Sequence, residues 1–183
     1  MTRASIVYLA IITFLMVQCK NDDTQFSITK DSIGKLSRNT LVSELQMVFA
    51  QDSIVSDADT LKIGNGSKKI KIYEKGGAHL LTLTPDAESI QKIKNIRVFD
   101  PRYKTARGVG LTSTFKDIKD NYPIRKIVTS INNVVIFLKD SDLYFTIDKQ
   151  ELPSSLRYGA STNIEAVQIP DDAKIKYLMI GWE

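Results

Sequence analysis

The sequence predicts an α+β fold of two tandem units, each a short helix followed by an antiparallel sheet of three to four strands. Three observations support this prediction. Short stretches that alternate apolar and polar residues are separated by turn residues, as in antiparallel strands. Two other stretches space their apolar residues as an amphipathic helix does. The order of helix, hairpin and third strand occurs twice along the 183 residues. The predicted organisation is a leader (1–18), a tether (19–27) and two α+β units (28–101 and 102–183).

Residues 1–18 have the features of the leader of an exported protein. Arg3 precedes an apolar run over residues 6–17, which is shorter than the roughly 20 residues of a membrane-spanning helix. The run ends at Cys19, the one cysteine of the chain. This arrangement resembles the bacterial lipoprotein signal, which is cut before a cysteine that then carries lipid. Gln18 departs from that pattern, which has a small residue at this position.

The resemblance implies lipid on Cys19 and a mature chain of 165 residues, which is 183 minus 18. Residues 20–23 resemble the charged tether of surface-exposed lipoproteins of the Bacteroidetes group. The predicted location is therefore the cell envelope, with the chain anchored by lipid to the outer membrane and either periplasmic or surface-exposed. The alternatives are a cleaved leader with an unmodified thiol and an uncleaved signal anchor.

Composition limits both the partners and the source of stability. The chain has 25 Lys and Arg against 21 Asp and Glu, and loss of Arg3 with the leader leaves 24 against 21. The basic residues are dispersed, whereas nucleic-acid-binding proteins cluster them, so no nucleic-acid partner is predicted. A single cysteine excludes an intramolecular disulfide and a cysteine-based metal site. The fold must rest on burial of its apolar residues, which make up 43% of the chain.

In the first unit, the apolar residues of 39–51 recur at helical spacing and predict a helix of about three turns. Residues 69–73 and 79–84 alternate at period two on either side of a Gly-Gly turn, which predicts a hairpin. Residues 90–99 alternate again and predict a third strand. The polar stretch 53–66 is predicted to be a loop.

In the second unit, Thr112 is suited to cap a helix that buries Phe115, Ile118 and Tyr122, and Pro123 ends it. Four further stretches have strand character, and a long connection rich in Ser, Pro, Gly and Asn lies before the last of them. The predicted strands are 126–130, 133–139, 143–148 and 174–182, and the connection is 150–170.

The two units match each other in sequence. Residues 75–83 match 139–147 at an offset of 64, and residues 92–98 match 174–180 at an offset of 82. The changing offset places an insertion in each unit, namely 53–66 and 150–170. The same order of matched elements in both units predicts a tandem duplication.

One segment of the second unit resembles a known family. Residues 110–118 read Gly-Leu-Thr-Ser-Thr-Phe-Lys-Asp-Ile, a glycine and threonine at the start of a short helix before antiparallel strands. With the repeated order of elements, this is similar to the fold shared by beta-lactamase inhibitory protein and small outer-membrane lipoproteins of SmpA type. The resemblance covers most of residues 28–183. It implies a domain that binds other proteins, as an inhibitor or as an accessory subunit of an assembly.

The search for chemistry finds no catalytic pattern. His79 is the single histidine, so zinc sites built from several histidines are excluded, and we predict a structural or surface role for it. Motifs for serine nucleophiles, phosphates and dinucleotides do not occur. Close pairs of aspartates lack the spacing of a calcium loop. These pairs are Asp57 and Asp59, Asp140 and Asp142, and Asp171 and Asp172. We predict no catalytic residues, no metal and no cofactor.

Aromatic residues in the second unit favour binding, because Tyr and Trp are common interface anchors and long loops on rigid sheets often carry function. We predict a partner-binding surface formed by Leu156, Arg157 and Tyr158 in the long connection, together with Trp182. The leading hypothesis is a non-enzymatic, lipid-anchored envelope protein that binds an envelope or secreted protein through its sheet or this loop. The alternative is a small surface-anchored hydrolase that acts on carbohydrate through paired carboxylates.

Overall fold

The computed structural model describes residues 24–56, 68–86, 88, 91–158 and 163–182. The strands, numbered along the chain, are β1 (Ser27–Ile28), β2 (Ser32–Ile33), β3 (Leu36–Ser37), β4 (Ser53–Ser56), β5 (Ile70–Tyr73), β6 (His79–Pro85), β7 (Ile93–Val98), β8 (Lys104–Thr105), β9 (Ile124–Thr129), β10 (Asn133–Leu138), β11 (Leu143–Asp148) and β12 (Ile175–Gly181). The α-helices are α1 (Leu45–Val48), α2 (Phe115–Asn121) and α3 (Ser154–Arg157), and short 3-10 helices lie at Thr24–Phe26, Val42–Glu44, Lys149–Glu151 and Ala166–Gln168.

One large antiparallel sheet of eight strands dominates the fold, in the order β4-β5-β6-β7-β12-β11-β10-β9. The strands β4 to β7 form one meander and the strands β9 to β12 form another. The two meanders meet where β7 pairs with β12, with Val98 opposite Leu178. A second, small sheet has the order β3-β2-β1-β8, and its pair β1–β8 is parallel.

Alternation along the strands gives the large sheet an apolar side, here called the inner face. A row of residues paired in register crosses all eight strands on this side. The row consists of Ile54, Ile72, Leu81, Val98, Leu178, Phe145, Ile136 and Ile127. Its six central members are buried, so the inner face is the floor of the hydrophobic core.

The other described elements pack onto the inner face. Leu45 of α1, Ile118 of α2, Ile33 of β2 and Ile164 after α3 all belong to the same buried cluster as the sheet residues. The fold therefore has two layers, a wide sheet and an irregular cover of short segments. Within the described residues, no helix has the length and apolar character needed to cross a membrane.

The predicted fold class, α+β with two helix-plus-sheet units, is wrong. The chain is mainly β, with two sheets, and among the described residues only α2 continues beyond a single turn. The long strands of residues 28–101 and 102–183 join one continuous sheet rather than forming two, because the backbones of β7 and β12 pair with each other. The predicted duplication is a separate matter and stays a prediction.

The predicted helix over 39–51 shrinks to the 3-10 helix Val42–Glu44 and the single turn of α1. Leu45 and Phe49 are buried one turn apart, so these two apolar residues reach the core without further helical turns. At Phe49 the backbone leaves the helical region, with φ −110° and ψ 37°. The chain then continues as β4, so part of the predicted loop 53–66 is an edge strand of the large sheet.

The helix α2 agrees with its prediction, except that Thr114 rather than Thr112 precedes it. The Thr114 backbone N–H donates to Asp117 Oδ2 at 2.8 Å. Phe115 and Ile118 are fully buried, whereas Tyr122 is only half-buried. The helix ends at Asn121, and Tyr122 is already extended immediately before Pro123. This segment therefore forms a short helix with one buried side, because a proline cannot continue an α-helix.

Candidate binding surface

The side of the large sheet opposite the core, here called the open face, carries mixed polar, aromatic and cationic side chains. A second row of residues in register crosses all eight strands on this side. In strand order the row reads Val55, Lys71, Thr82, Arg97, Met179, Tyr144, Phe137 and Lys126. The buried side chains of the described cover elements belong to the core cluster on the inner face, so none of those elements covers this row.

A ladder of stacked rings and one guanidinium runs along the middle of the open face. The rings of Tyr73 and His79 have centroids 4.6 Å apart, and those of His79 and Phe99 are 3.8 Å apart. The Arg97 guanidinium carbon lies 4.5 Å from the Phe99 centroid and 3.8 Å from that of Tyr177. Both contacts lie within the range of cation–π attraction, so the side chains hold one another in place.

Arg97 occupies the centre of this face, on the fourth of the eight strands. Among the described residues, its guanidinium makes no hydrogen bond and no ion pair. By contrast, Arg38 pairs with Asp142 and Arg102 pairs with Asp100 and Glu74. Arg97 thus lies against two rings, while its N–H groups have no acceptor among the described residues.

The second meander adds an aromatic pair to the open face. The rings of Phe137 and Tyr144 stack with centroids 5.3 Å apart, and Lys126 Nζ lies 4.8 Å from the Phe137 centroid. The Tyr144 hydroxyl donates to Asn95 Oδ1 at 2.9 Å. Burial raises the pKa of Tyr144, so the hydroxyl remains a neutral donor at neutral pH.

The open face contains a shallow depression of about 390 Å³ lined by side chains of β5, β6, β7, β11 and β12 and of residues flanking β5 and β7. Lys69, Lys71 and Arg97 are among its lining residues, and no described acidic side chain lines it. The depression lies beside the aromatic ladder and Tyr144.

At one end, the open face borders a second hollow of about 280 Å³ next to α3. Lys176 donates to Asp148 Oδ2 at 2.7 Å and to Asn133 Oδ1 at 3.1 Å, and this pair forms the border. Beyond it lie two exposed apolar side chains, Ile131 at 79% and Tyr158 at 83% exposure. The sheet and the long connection thus present one continuous surface.

The structure separates the four predicted partner-binding residues. Tyr158 is exposed, whereas Leu156 is half-buried and packs against the core. Arg157 Nε donates to Leu152 O at 2.7 Å, which ties α3 to the preceding segment. Trp182 is only 4% exposed and belongs to the core. Its ring therefore lies in the interior and not on the surface with Tyr158.

Sequence reasoning did not select the residues of the aromatic ladder. Tyr73, His79, Phe99 and Tyr177 stand on different strands, and Arg97 is one of many dispersed cations. A weak signal existed, because in some strands the apolar positions alternate with a cation or an aromatic residue, as at Lys71 in β5 and Arg97 in β7. The predicted lipidation site, Cys19, lies outside the described residues.

His79 is held within the stack by its neighbours on β6. Its Nε2 lies 3.2 Å from Leu81 O and 3.0 Å from Thr82 Oγ1. Burial lowers the pKa of His79, and the positive charges of Lys71 and Arg97 lower it further. The neutral ring is therefore favoured within the stack.

The described carboxylates do not converge on a reaction centre. Hydrogen bonds from Arg102 lower the pKa of Asp100, and a hydrogen bond from Lys119 lowers that of Asp171. For Asp148 the backbone N–H of Gln150 has the same effect, followed by Lys176. A glycosidase acid needs a raised pKa instead. Among the described residues, no group of three or more His, Cys, Asp or Glu is placed to hold a metal ion.

Fold and surface together define a class of protein: a wide antiparallel sheet covered on one side, with an open aromatic and cationic face on the other. A comparison with solved structures finds this architecture in the uncharacterized protein YfeY from Escherichia coli. The match has a TM-score of 0.54 at 16% sequence identity and covers 86% of this chain and 99% of that chain. At this identity the similarity concerns the fold alone. No family model and no curated protein matches the sequence.

Proposed function

We propose that this chain is a non-enzymatic envelope protein, anchored to the outer membrane by lipid on Cys19, that binds another protein with its open face. The observation that carries the proposal is the open face of the large sheet, which no described element covers and where stacked aromatic rings and cations lie next to threonines. Tyr and Arg are enriched among the residues that dominate binding energy at interfaces. Exposed aromatic surface also costs free energy in water, which a bound partner would recover.

The open face has the dimensions of a protein interface. Eight strands spaced by about 4.8 Å span about 34 Å, and six residues of a strand span about 20 Å. The resulting area of about 700 Å² is close to the roughly 800 Å² that each partner contributes to a standard interface. The hollow beside Tyr158 extends the same surface.

The proposed lipid anchor would keep the domain near the membrane. Seven residues lie between Cys19 and Ser27, the first residue of β1, so eight residue-to-residue steps join them. A chain of that length reaches at most about 28 Å when fully extended. A lipid on Cys19 would therefore hold the domain within about one domain diameter of the bilayer, where an envelope protein partner is met at high local concentration.

Site-specific photo-crosslinking in the native cells tests the proposal. A benzoylphenylalanine placed at Tyr144 or Phe137 reports on the open face, and one at Val167, which is 87% exposed, is the matched control away from it. We expect one envelope or secreted protein to be crosslinked from Tyr144 and Phe137 but not from Val167. Equal adducts from all three positions, or none, would refute binding through this face.

The anchor is tested separately by Cys19→Ser. Loss of the lipidated cysteine should release the chain from the membrane fraction and remove the lipid mass from its N-terminal peptide. A Cys19→Ser chain that stays with the outer membrane would contradict the lipid anchor without bearing on the open face.

A further inference from the structure

We propose that Arg97 anchors the protein partner by binding a carboxylate from an acidic segment of that partner, a proposal that rests on the open face being the binding surface. Arg97 lies at the centre of the sheet and is one of the residues that line the depression. Its strand neighbours in register are Thr82 and Met179, which are uncharged and leave the approach to the guanidinium open.

The guanidinium is already held in position for binding. Phe99 and Tyr177 lie 4.5 Å and 3.8 Å from its carbon atom, and Phe99 is in turn stacked on His79 at 3.8 Å. A free arginine side chain loses about 2 kcal/mol of rotamer entropy when it is fixed, but a side chain already fixed by its neighbours loses little more on binding. No described residue accepts a hydrogen bond from the N–H groups of Arg97, so these donors remain for a ligand.

Arg97 has no acidic partner among the described residues. The described residues that line the depression beside it include no Asp or Glu. Elsewhere in the described part of the chain, Arg38 and Arg102 and the lysines Lys35, Lys116 and Lys119 each lie against a carboxylate. A carboxylate of the partner would therefore supply the acidic group that Arg97 lacks among the described residues.

A carboxylate fits this site better than a phosphate. Phosphate sites in proteins usually combine cations with several free backbone N–H groups, as at a helix N-terminus or a glycine-rich loop. Here the backbone around Arg97 is engaged in the ladders of β6, β7 and β12. What remains is the planar fork of one guanidinium, which matches a carboxylate through two parallel hydrogen bonds.

The test measures binding of a tetraglutamate peptide, capped at both ends and carrying a neutral dye, to the mature chain in detergent at low salt. Fluorescence anisotropy gives the affinity of the parent and of three variants. Arg97→Gln removes the charge, and Arg97→Lys keeps the charge but removes the fork and the stacking. Arg107→Lys is the matched control, because Arg107 also lies over a ring, that of Tyr122 at 4.9 Å, but on another part of the surface.

We expect Arg97→Gln to weaken peptide binding about tenfold and Arg97→Lys about fivefold, since a stacked, bidentate arginine is not replaced by lysine. Arg107→Lys should bind within about twofold of the parent. Circular dichroism and thermal melting of each variant show whether it is folded. If folded Arg97→Lys binds like the parent, or if phosphate displaces the peptide better than glutarate does, the proposal is overturned.

The crosslinking experiment distinguishes this proposal from the one on which it rests. If Arg97→Lys lowers both the affinity for the peptide and the yield of the crosslink from Tyr144, the role of Arg97 in partner binding is supported. If the crosslink persists unchanged in Arg97→Lys, protein binding stands and Arg97 is not its anchor. If the parent chain crosslinks no protein, both the proposed function and the proposed role of Arg97 are refuted.

Discussion

Arg102 neutralises a buried carboxylate, and its replacement by methionine should destabilise the protein in a pH-dependent manner. Asp100 is 6% exposed. Its Oδ1 accepts a hydrogen bond from Arg102 Nε at 3.0 Å and its Oδ2 accepts one from Nη2 at 2.7 Å. The guanidinium also binds Glu74 Oε2 at 2.7 Å and lies 4.0 Å from the Phe26 ring centroid. Arg102→Met preserves much of the side-chain length, so it removes chiefly the charge and its hydrogen bonds.

The size of the effect follows from burial. Removing the partner of a fully buried charge costs about 3–5 kcal/mol. The Arg102 side chain is 43% exposed, so water screens the pair, and we reduce the cost to about 2 kcal/mol. The lost contact with Phe26 adds about 0.5 kcal/mol. At a urea slope of about 2 kcal/mol per molar, the sum of about 2.5 kcal/mol lowers the unfolding midpoint by about 1.2 M at neutral pH.

The loss should shrink in acid. Hydrogen bonds from Arg102 lower the pKa of Asp100. The stability that this carboxylate contributes is therefore fully present above its unfolded pKa of about 3.9 and is lost as the pH falls through the folded value. Urea unfolding of parent and variant at about pH 7 and about pH 2 measures this difference. Lys116→Met, which breaks the exposed pair with Asp120, is the control and should leave the midpoint unchanged. An equal loss at both pH values, or a midpoint shift below about 0.3 M at neutral pH, would refute the reasoning.

Three further predictions concern the backbone, a helix cap and the histidine. Gly34→Ala should lower the free energy of unfolding by more than about 2 kcal/mol, because φ is +53° and the new Cβ would lie 2.3 Å from Gln25 O. Gly77→Ala should cost only about 1 kcal/mol, because φ is +90° but no atom lies within 4 Å of the new Cβ. Thermal melts of the two variants measure the difference. Asp117→Ala should cost about 1 kcal/mol and speed amide exchange at the start of α2, because Thr114 N–H loses its acceptor; unchanged exchange would contradict this. Burial lowers the pKa of His79 in the folded state, so the unfolded chain takes up a proton first as the pH falls below about 6.5. The free energy of unfolding should therefore decrease from about pH 7.5 to about pH 5.5. Urea midpoints of the parent should show this dependence, and those of His79→Phe, which keeps an aromatic ring in the stack, should not.

Much of the large sheet could be predicted because alternation at period two is visible within a single segment. The structure confirms strands at 69–73, 79–84, 133–139 and 143–148 to within a residue or so of the predicted bounds. The pairing of β7 with β12 was not predictable in this way, because the alternation within a strand does not indicate which other strand it pairs with. The predicted helix over 39–51 failed because tertiary contacts at Leu45 and Phe49 satisfied the pattern in one turn.

The candidate surface was less accessible to sequence reasoning than the strands. Tyr158 is exposed as predicted, because it lies in a polar connection with little apolar density around it. Trp182 was assigned to a surface by its residue type, but it follows the alternation of Leu178 and Ile180 and therefore faces the core. The aromatic ladder joins residues as far apart as Tyr73 and Tyr177, so it exists only once the strand order is known.

The central pairing of β7 with β12 has a consequence for the order of folding. Val98 and Leu178 lie opposite each other although 80 residues separate them along the chain (178 minus 98). Contacts of such long range form slowly, because the intervening chain must first give up its freedom. Until β12 docks, each meander leaves a bare hydrogen-bonding edge at the middle of the future sheet. A polypeptide that closes its sheet in this way cannot complete its core before β12 is available to pair with β7.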